Sequence, residues 1–239
     1  MTTFAIATLG CKVNTYESQG YESALLAKGY QQVSFKEKAD VYIINTCAVT
    51  NTAGSKSRQK IHQAKALNQN ALIAVVGCYV QTAKEQLEQQ EHVDILIGSD
   101  GKRTLADRIE KALQGEKQVN EIYDVRALRV FEALPIQHFE HQTRAFLKIQ
   151  DGCNQFCSYC IIPYARGAER SLPEDEVIKI AQDLCASGHQ EIVLSGIHTG
   201  RYGRDINTNL TQLMKRMCKE VKGLRRIRIS SIEMNEISD

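Results

Sequence analysis

Six of the eight cysteines stand where thiol chemistry is expected. Cys153-Asn154-Gln155-Phe156-Cys157-Ser158-Tyr159-Cys160 packs three of them into one C-x3-C-x2-C segment. Three thiolates brought together by one loop suit a [4Fe–4S] cluster with one iron left without a protein ligand. A structural zinc site takes four ligands, usually from C-x2-4-C pairs. A fourth ligand here would have to be a residue such as His141 or Cys185, and neither has a characteristic offset. The other three, Cys11, Cys47 and Cys78, are dispersed, but each lies just beyond a short apolar run, after Leu9-Gly10, Asn45-Thr46 and Val76-Gly77. If those runs are parallel strands, their C-terminal ends share one sheet edge, where open α/β folds place their sites. Gly10 and Gly77 allow the chain to turn sharply there. Three unrelated structural cysteines are the competing reading. Cys185 and Cys218 fall in helical patterns and read as small buried apolar residues.

The elements that must position these thiols alternate along the chain. Apolar runs at 4–10, 41–45, 71–77 and 93–98 are followed by helical spacings at 14–28, 53–67, 81–90 and 101–113. Continuous apolar runs between amphipathic helices predict a parallel sheet covered on both faces, hence a doubly wound α/β domain over 1–114. Residues 115–143 predict an interdomain linker: 119–125 and 128–131 look extended, as the two arms of a hairpin would, and Pro135 with His138 and His141 closes it. From 144 to 239 the alternation resumes, with strands at 144–150, 191–194 and 226–230 and helices at 173–187 and 209–221. Three βα units cannot close a barrel, so this second domain is expected to be incomplete.

Composition narrows the class. The apolar fraction of 43% and charged fraction of 24% are ordinary for a globular protein. No apolar run nears the roughly 20 residues of a membrane span, and the first residues lack a secretory pattern, so no membrane role and a cytoplasmic location are expected. Reducing conditions there favour metal binding over disulfides. The net charge of +2 is uninformative, but 201–228 holds nine Lys/Arg against two Asp/Glu. That excess suits either an RNA backbone or a solvated helix face.

The C-x3-C-x-aromatic-C segment after a strand, with Tyr159 at the aromatic place, resembles the radical S-adenosylmethionine superfamily. Gly10-Cys11-Lys12-Val13-Asn14, Asn45-Thr46-Cys47-Ala48-Val49-Thr50 and Gly77-Cys78 resemble the N-terminal domain of the methylthiotransferases within it. Ile162-Pro163-Tyr164-Ala165-Arg166-Gly167 and Glu169-Arg170-Ser171 resemble that family's extension of the radical motif. The resemblance runs over the whole chain. It implies the first part of a partial TIM-like β/α barrel in the second domain, and a longer protein of which this chain is a piece, poorly active alone.

The resemblance also implies two [4Fe–4S] clusters, one on Cys153, Cys157 and Cys160 and one on Cys11, Cys47 and Cys78, with S-adenosylmethionine as cosubstrate. Tyr159 would lie against the adenine, and Ser195 and Gly196 against the methionine moiety. Arg166 and Arg170 would pair with a carboxylate or phosphate, or form surface ion pairs. Ser230, Ser231 and Glu233 would reach the cofactor or lie in a frayed loop, and His198 reads best as a solvent-exposed loop residue. The words around Cys11 and Cys47 resemble the branch that methylthiolates C2 of N6-threonylcarbamoyladenosine at tRNA position 37. The isopentenyladenosine branch has Gln-Met at the places of Lys12-Val13, and the ribosomal-protein branch has Pro-Lys. The partners implied are a tRNA anticodon loop and an electron-donor protein. A zinc-containing nucleic-acid-binding module and a cluster carrier serving another enzyme are the rivals from other classes.

Overall fold

A computed structural model describes residues 1–49, 51–89, 92–116, 119–134 and 144–236. The first sheet is built from β1 (Thr3–Thr8), β2 (Gln31–Gln32), β3 (Val41–Thr46), β4 (Leu72–Gly77), β5 (Ile95–Ile97) and β6 (Val119–Glu121). Its six strands are all parallel, in the order β2-β1-β3-β4-β5-β6. β3 and β4 are buried at every position, as strands covered on both faces must be. Alternate residues feed two cores. Phe4, Ile43, Ala74 and Ile97 meet Tyr21 and Leu25 of α1 (Lys12–Ala27) and Ile109 of α5 (Leu105–Leu113). Ala5, Ile44, Ile73 and Leu96 meet Ile61 and Ala64 of α2 (Asn51–Leu67) and Val80 of α3 (Cys78–Thr82). The domain is doubly wound, as the periodicity indicates.

Local details differ from the sequence reading. The helix expected over 81–90 begins at Cys78 and breaks at Ala83 into α3 and α4 (Lys84–Glu88); Gln90 lies outside the described residues. Thr82 turns its hydroxyl back onto the Cys78 carbonyl, and Ala83 leaves helical geometry at φ −129°. The segment 119–125 forms no hairpin among the described residues. Instead β6 adds to β5 in parallel, so the first sheet runs past residue 114, and a 3-10 turn at Val125–Ala127 follows. Residues 128–131 form no strand either. The stretch that follows covers α1, with Leu134 so close to Gly20 that a Cβ there would lie 2.7 Å away. Pro135, His138 and His141 lie outside the described residues.

The second sheet holds β7 (Ala145–Lys148), β10 (Glu191–Ser195) and β11 (Arg226–Ile229) in the parallel order β11-β10-β7. Between β7 and β10 run β8 (Gln150–Asp151), α6 (Ile162–Arg166), β9 (Arg170–Ser171) and α7 (Glu174–Ala186), and α8 (Leu210–Glu220) precedes β11. These are the opening βα units expected of a radical barrel. The short antiparallel pair β8–β9 brackets the Cys-rich loop, with Asp151 opposite Arg170. Helix α1 packs on β7 as well as on its own sheet, so a single apolar core runs from Phe4 through Tyr16 to Phe146 and Leu194. Cys185 is half-buried against this core, whereas Cys218 is exposed, contrary to its reading as a buried residue. No helix among the described residues is long and apolar enough to cross a membrane.

Candidate functional site

The dispersed thiols stand at the C-terminal ends of three adjacent strands, β1, β3 and β4. Cys11 caps α1, Cys47 follows β3 directly, and Cys78 opens α3. Gly10 has φ +105°, and a Cβ built on it would lie 2.7 Å from the Cys47 Cβ and 2.9 Å from its Sγ. Only glycine lets the Cys11 loop approach Cys47 this closely. Asn14 joins the loops, its amide donating to the Leu9 carbonyl at 2.7 Å and the Thr46 carbonyl at 2.9 Å. The Cys11 thiol points to Asn14 Oδ1 at 3.7 Å. The Thr46 hydroxyl clamps the Val76 carbonyl at 2.6 Å, and the Asn45 amide reaches back to the Asn14 carbonyl and Ser18. The polar letters around each cysteine thus hold the three strand ends in register.

The contiguous thiols line one cavity. It has a volume of about 320 Å³ and is walled by Cys153, Gln155, Cys157, Tyr159, Cys160, Ile162, Ile197, His198 and Glu233. That size lies at the small end of the ligand-pocket range, roughly 300–1,000 Å³. The Cys153 amide donates to the Gly167 carbonyl at 3.0 Å, which folds the loop back on its own extension. Gln150 ties the base of the loop: its amide donates to the Asp151 and Gly152 carbonyls, and its Oε1 accepts the His198 amide at 2.7 Å. Burial pushes the Cys153 thiol up from its ordinary pKa.

The remaining expected residues divide. Tyr159 lines the cavity and is 90% exposed. Ser195 and Gly196 stand behind it: the Ser195 hydroxyl faces the Leu147 carbonyl, and Gly196 backs onto Gln150. Arg170 is buried and donates to the Arg166 and Ala168 carbonyls, away from the cavity wall. Glu233 lines the cavity, while Ser230 and Ser231 do not. His198 is not a solvent-exposed loop residue. It is buried, with Nδ1 3.7 Å from the Cys153 Sγ and Nε2 2.5 Å from Glu236, because Gln150 pulls its backbone inward. Among the described residues, Cys153, Glu169 and His198 bring donor atoms within 4.8 Å of one another, whereas neither cysteine trio draws its three sulfurs that close. In the basic stretch after Arg201, ion pairs join Arg201 to Glu169, Arg216 to Glu174, and Arg226 and Arg228 to Glu191.

Arg166 connects the two thiol sets; it is fully buried, so of its two readings the pairing with carboxylates is formed and the surface ion pair is not. Its Nε donates to the Cys78 Sγ at 3.1 Å, while its two terminal nitrogens reach Glu17, Asp151 and Asn14. The next residue, Gly167, receives the Cys153 amide. One turn therefore contacts both sites. Around Arg166, Lys102 reaches Glu17 at 2.7 Å, Lys148 reaches Asp151 at 2.6 Å, and Arg170 lies 3.7 Å from Asp151. Burial acts to raise the Glu17 and Asp151 carboxyls, but the surrounding Arg and Lys cations hold both well below the usual carboxylate range. Four buried cations thus surround Glu17 and Asp151, with Glu132 also near Lys102 and Lys148, and of these cations Arg166 and Lys102 act on Cys78. Burial raises the Cys78 thiol, and Arg166 counters that. A three-thiol set with the buried Arg166 cation on one of its sulfurs fits an anionic group such as a thiolate-bound iron–sulfur cluster. Glu17, Lys102, Lys148, Gln150 and Asp151 were not singled out from sequence. The sequence marks only Lys148 and Gln150 among them, as charged and polar letters inside the strand pattern 144–150.

Comparison with known proteins gives the class first. Residues 147–236 match the radical SAM superfamily, and residues 3–98 match the uncharacterized protein family UPF0004. The fold resembles the radical S-adenosylmethionine methyltransferase TsrM from Kitasatospora setae, with a TM-score of 0.62 over 94% of this chain and 53% of that one, at 12% identity. The threonylcarbamoyladenosine tRNA methylthiotransferase MtaB of Bacillus subtilis is 45% identical over 100% of this chain and 53% of its own length. That of Aquifex aeolicus is 37% identical over 98% of this chain and 57% of its own. The tRNA-2-methylthio-N(6)-dimethylallyladenosine synthase of Clostridium perfringens is 35% identical over 99% and 54%. The chain joins a UPF0004 region to a radical SAM region, is similar over its whole length to radical S-adenosylmethionine methylthiotransferases, and spans about half the length of the curated relatives it matches.

Proposed function

We propose that the protein to which this chain belongs methylthiolates C2 of N6-threonylcarbamoyladenosine at position 37 of tRNA. Cys153, Cys157 and Cys160 would hold one [4Fe–4S] cluster, and Cys11, Cys47 and Cys78 a second. S-adenosylmethionine would bind at the cavity beside Tyr159, with Ser195 and Gly196 behind its wall, while Arg170, turned away from that wall, would brace the Arg166–Ala168 turn. When bound, the reduced cluster with S-adenosylmethionine supplies the radical chemistry that an unactivated aromatic C–H bond demands and no side chain provides. The chain's own residues hold and align. Asn14 and Gly10 gather the first thiol set, Gln150 and Gly167 brace the second, and Arg166 fixes the two relative to each other. A separate electron-donor protein and a cytoplasmic setting complete the reading.

The observation that carries this function is the single turn, Arg166-Gly167, that touches Cys78 with its side chain and Cys153 through its backbone. It supports two iron sites working on one substrate. Anaerobic reconstitution tests this: iron near eight per chain is expected, falling to about four when Cys11, Cys47 and Cys78 are replaced by Ala. S-adenosylmethionine cleavage is assayed on the same samples as released 5′-deoxyadenosine. Zinc in place of iron, or four irons in the unsubstituted chain, would refute the two-cluster reading. Nucleoside mass spectrometry of tRNA from a deletion strain tests the substrate. Accumulated threonylcarbamoyladenosine supports it, and loss of methylthio-isopentenyladenosine would transfer the assignment to the other tRNA branch.

A further inference from the structure

A second groove lies across the cluster loop from the thiol cavity. It encloses about 470 Å³, and its wall includes Phe156, Tyr164, Arg126, Arg129 and Asn154. Phe156 and Tyr164 are 59% and 62% exposed, and their rings meet edge to face with centroids 5.8 Å apart. Such large aromatic surface left in water calls for a partner. Phe156 also has φ +46°, a left-handed conformation that is uncommon for a bulky residue. The loop's turn alone would be served better by Gly or Asn, and the ring is not buried in return. What the position requires is therefore the ring itself, displayed outward.

The neighbouring charge identifies the class of partner. Arg126 pairs with Asp124, while Arg129 donates to the Arg126 and Leu128 carbonyls and, among the described residues, meets no carboxylate. Flat aromatic faces beside an Arg that meets no carboxylate among the described residues match single-stranded nucleic acid, whose bases stack and whose phosphates pair. The location fits as well. Gln155 faces the thiol cavity and Phe156, the next residue, faces the groove. A strand that delivers one base to the cavity would lay its neighbour over Phe156.

We propose that Phe156 and Tyr164, with Arg129, form a stacking platform for a nucleotide flanking the target adenosine in an RNA loop. This rests on the reading of tRNA as substrate. The test is fluorescence anisotropy of the anaerobically reconstituted chain with a labelled anticodon stem-loop carrying adenosine at position 37, and with versions abasic at either neighbouring nucleotide. Base–aromatic stacking of about 1–3 kcal/mol predicts that Phe156→Ala and Tyr164→Ala each weaken binding ~5- to 150-fold. Phe156→Trp should retain affinity. One abasic loop should bind as weakly as the Ala variants bind the intact loop, with little further loss when the two changes are combined. Arg129→Gln should lower the salt dependence by about one phosphate contact. Iron content is measured on every sample. If Phe156→Ala disturbs cluster loading, Tyr164→Ala carries the test from outside the thiol segment. Unsubstituted chain that binds the stem-loop while both Ala variants stay within twofold of it overturns the platform and leaves the tRNA reading standing. Unsubstituted chain that does not bind the stem-loop overturns both.

Discussion

Replacing Glu17 by Gln tests the buried charge network directly. The Glu17 side chain is fully buried, and its carboxylate meets Lys102 at 2.7 Å, Arg166 at 2.9 Å and Lys148 at 3.2 Å. The amide keeps the shape and one acceptor but removes the charge, leaving Lys102, Lys148 and Arg166 without the carboxylate they share. Removing one partner of a buried ion pair costs about 3–5 kcal/mol. Because Gln still accepts a hydrogen bond, the lower end, about 3 kcal/mol, is expected. The assay is urea unfolding of the reduced, iron-free chain, in which the midpoint should fall with little change in slope. The pH dependence supplies a second readout. Glu17 is held below its ordinary value in the folded state, so the unfolded chain binds the extra proton, and the stabilisation is lost as pH falls below about 4.3. With Asp151 shifted the same way, the unsubstituted chain should lose up to ~2.7 kcal/mol per pH unit in acid and the variant ~1.4 from these groups. The two curves should therefore converge as pH falls. A variant as stable as its parent at neutral pH, or a gap that does not narrow in acid, would refute the reasoning.

Other substitutions probe single contacts. Gly10→Ala would drive a methyl group into Cys47, so reconstituted iron should drop by roughly half, whereas Gly188→Ala, at φ +99° with nothing within 4 Å, should leave it unchanged. Tyr202→Phe removes a buried hydroxyl that donates to the Leu172 carbonyl at 2.7 Å, and urea unfolding should show a loss of about 1–3 kcal/mol. Leu147→Ala empties a fully buried position in β7 and should lower stability by about 2–5 kcal/mol in the same assay.

The placement of Cys11, Cys47 and Cys78 at adjacent strand ends was legible because it is carried by local signals. Cys47 and Cys78 follow apolar runs directly and Gly10 precedes Cys11, so parallel pairing alone sets them on one edge. The polar network was not legible, because its members lie far apart in sequence. Glu17 reads as an ordinary polar letter on a helix, and only the folded chain brings Arg166, 149 residues away, against it. Arg166 was visible as part of a motif, but its burial was not, since an arginine enters a core only where carboxylates from other elements await it. The linker misled for a related reason. Val119–Glu121 reads as extended, but nothing in its own letters says that it joins the open edge of β5 in parallel and not a hairpin with 128–131. His198 looked exposed because nothing near it in sequence reveals that Gln150 draws its backbone inward.

Helix α1 has no face to spare. One side seats on its own sheet, another on β7, and its Glu17 anchors three side chains that come from outside it. The two halves are consequently not interchangeable modules. Grafting the second half of one relative onto the first half of another would preserve every cysteine and still mismatch the joint, unless the residues that meet α1 travelled with the graft.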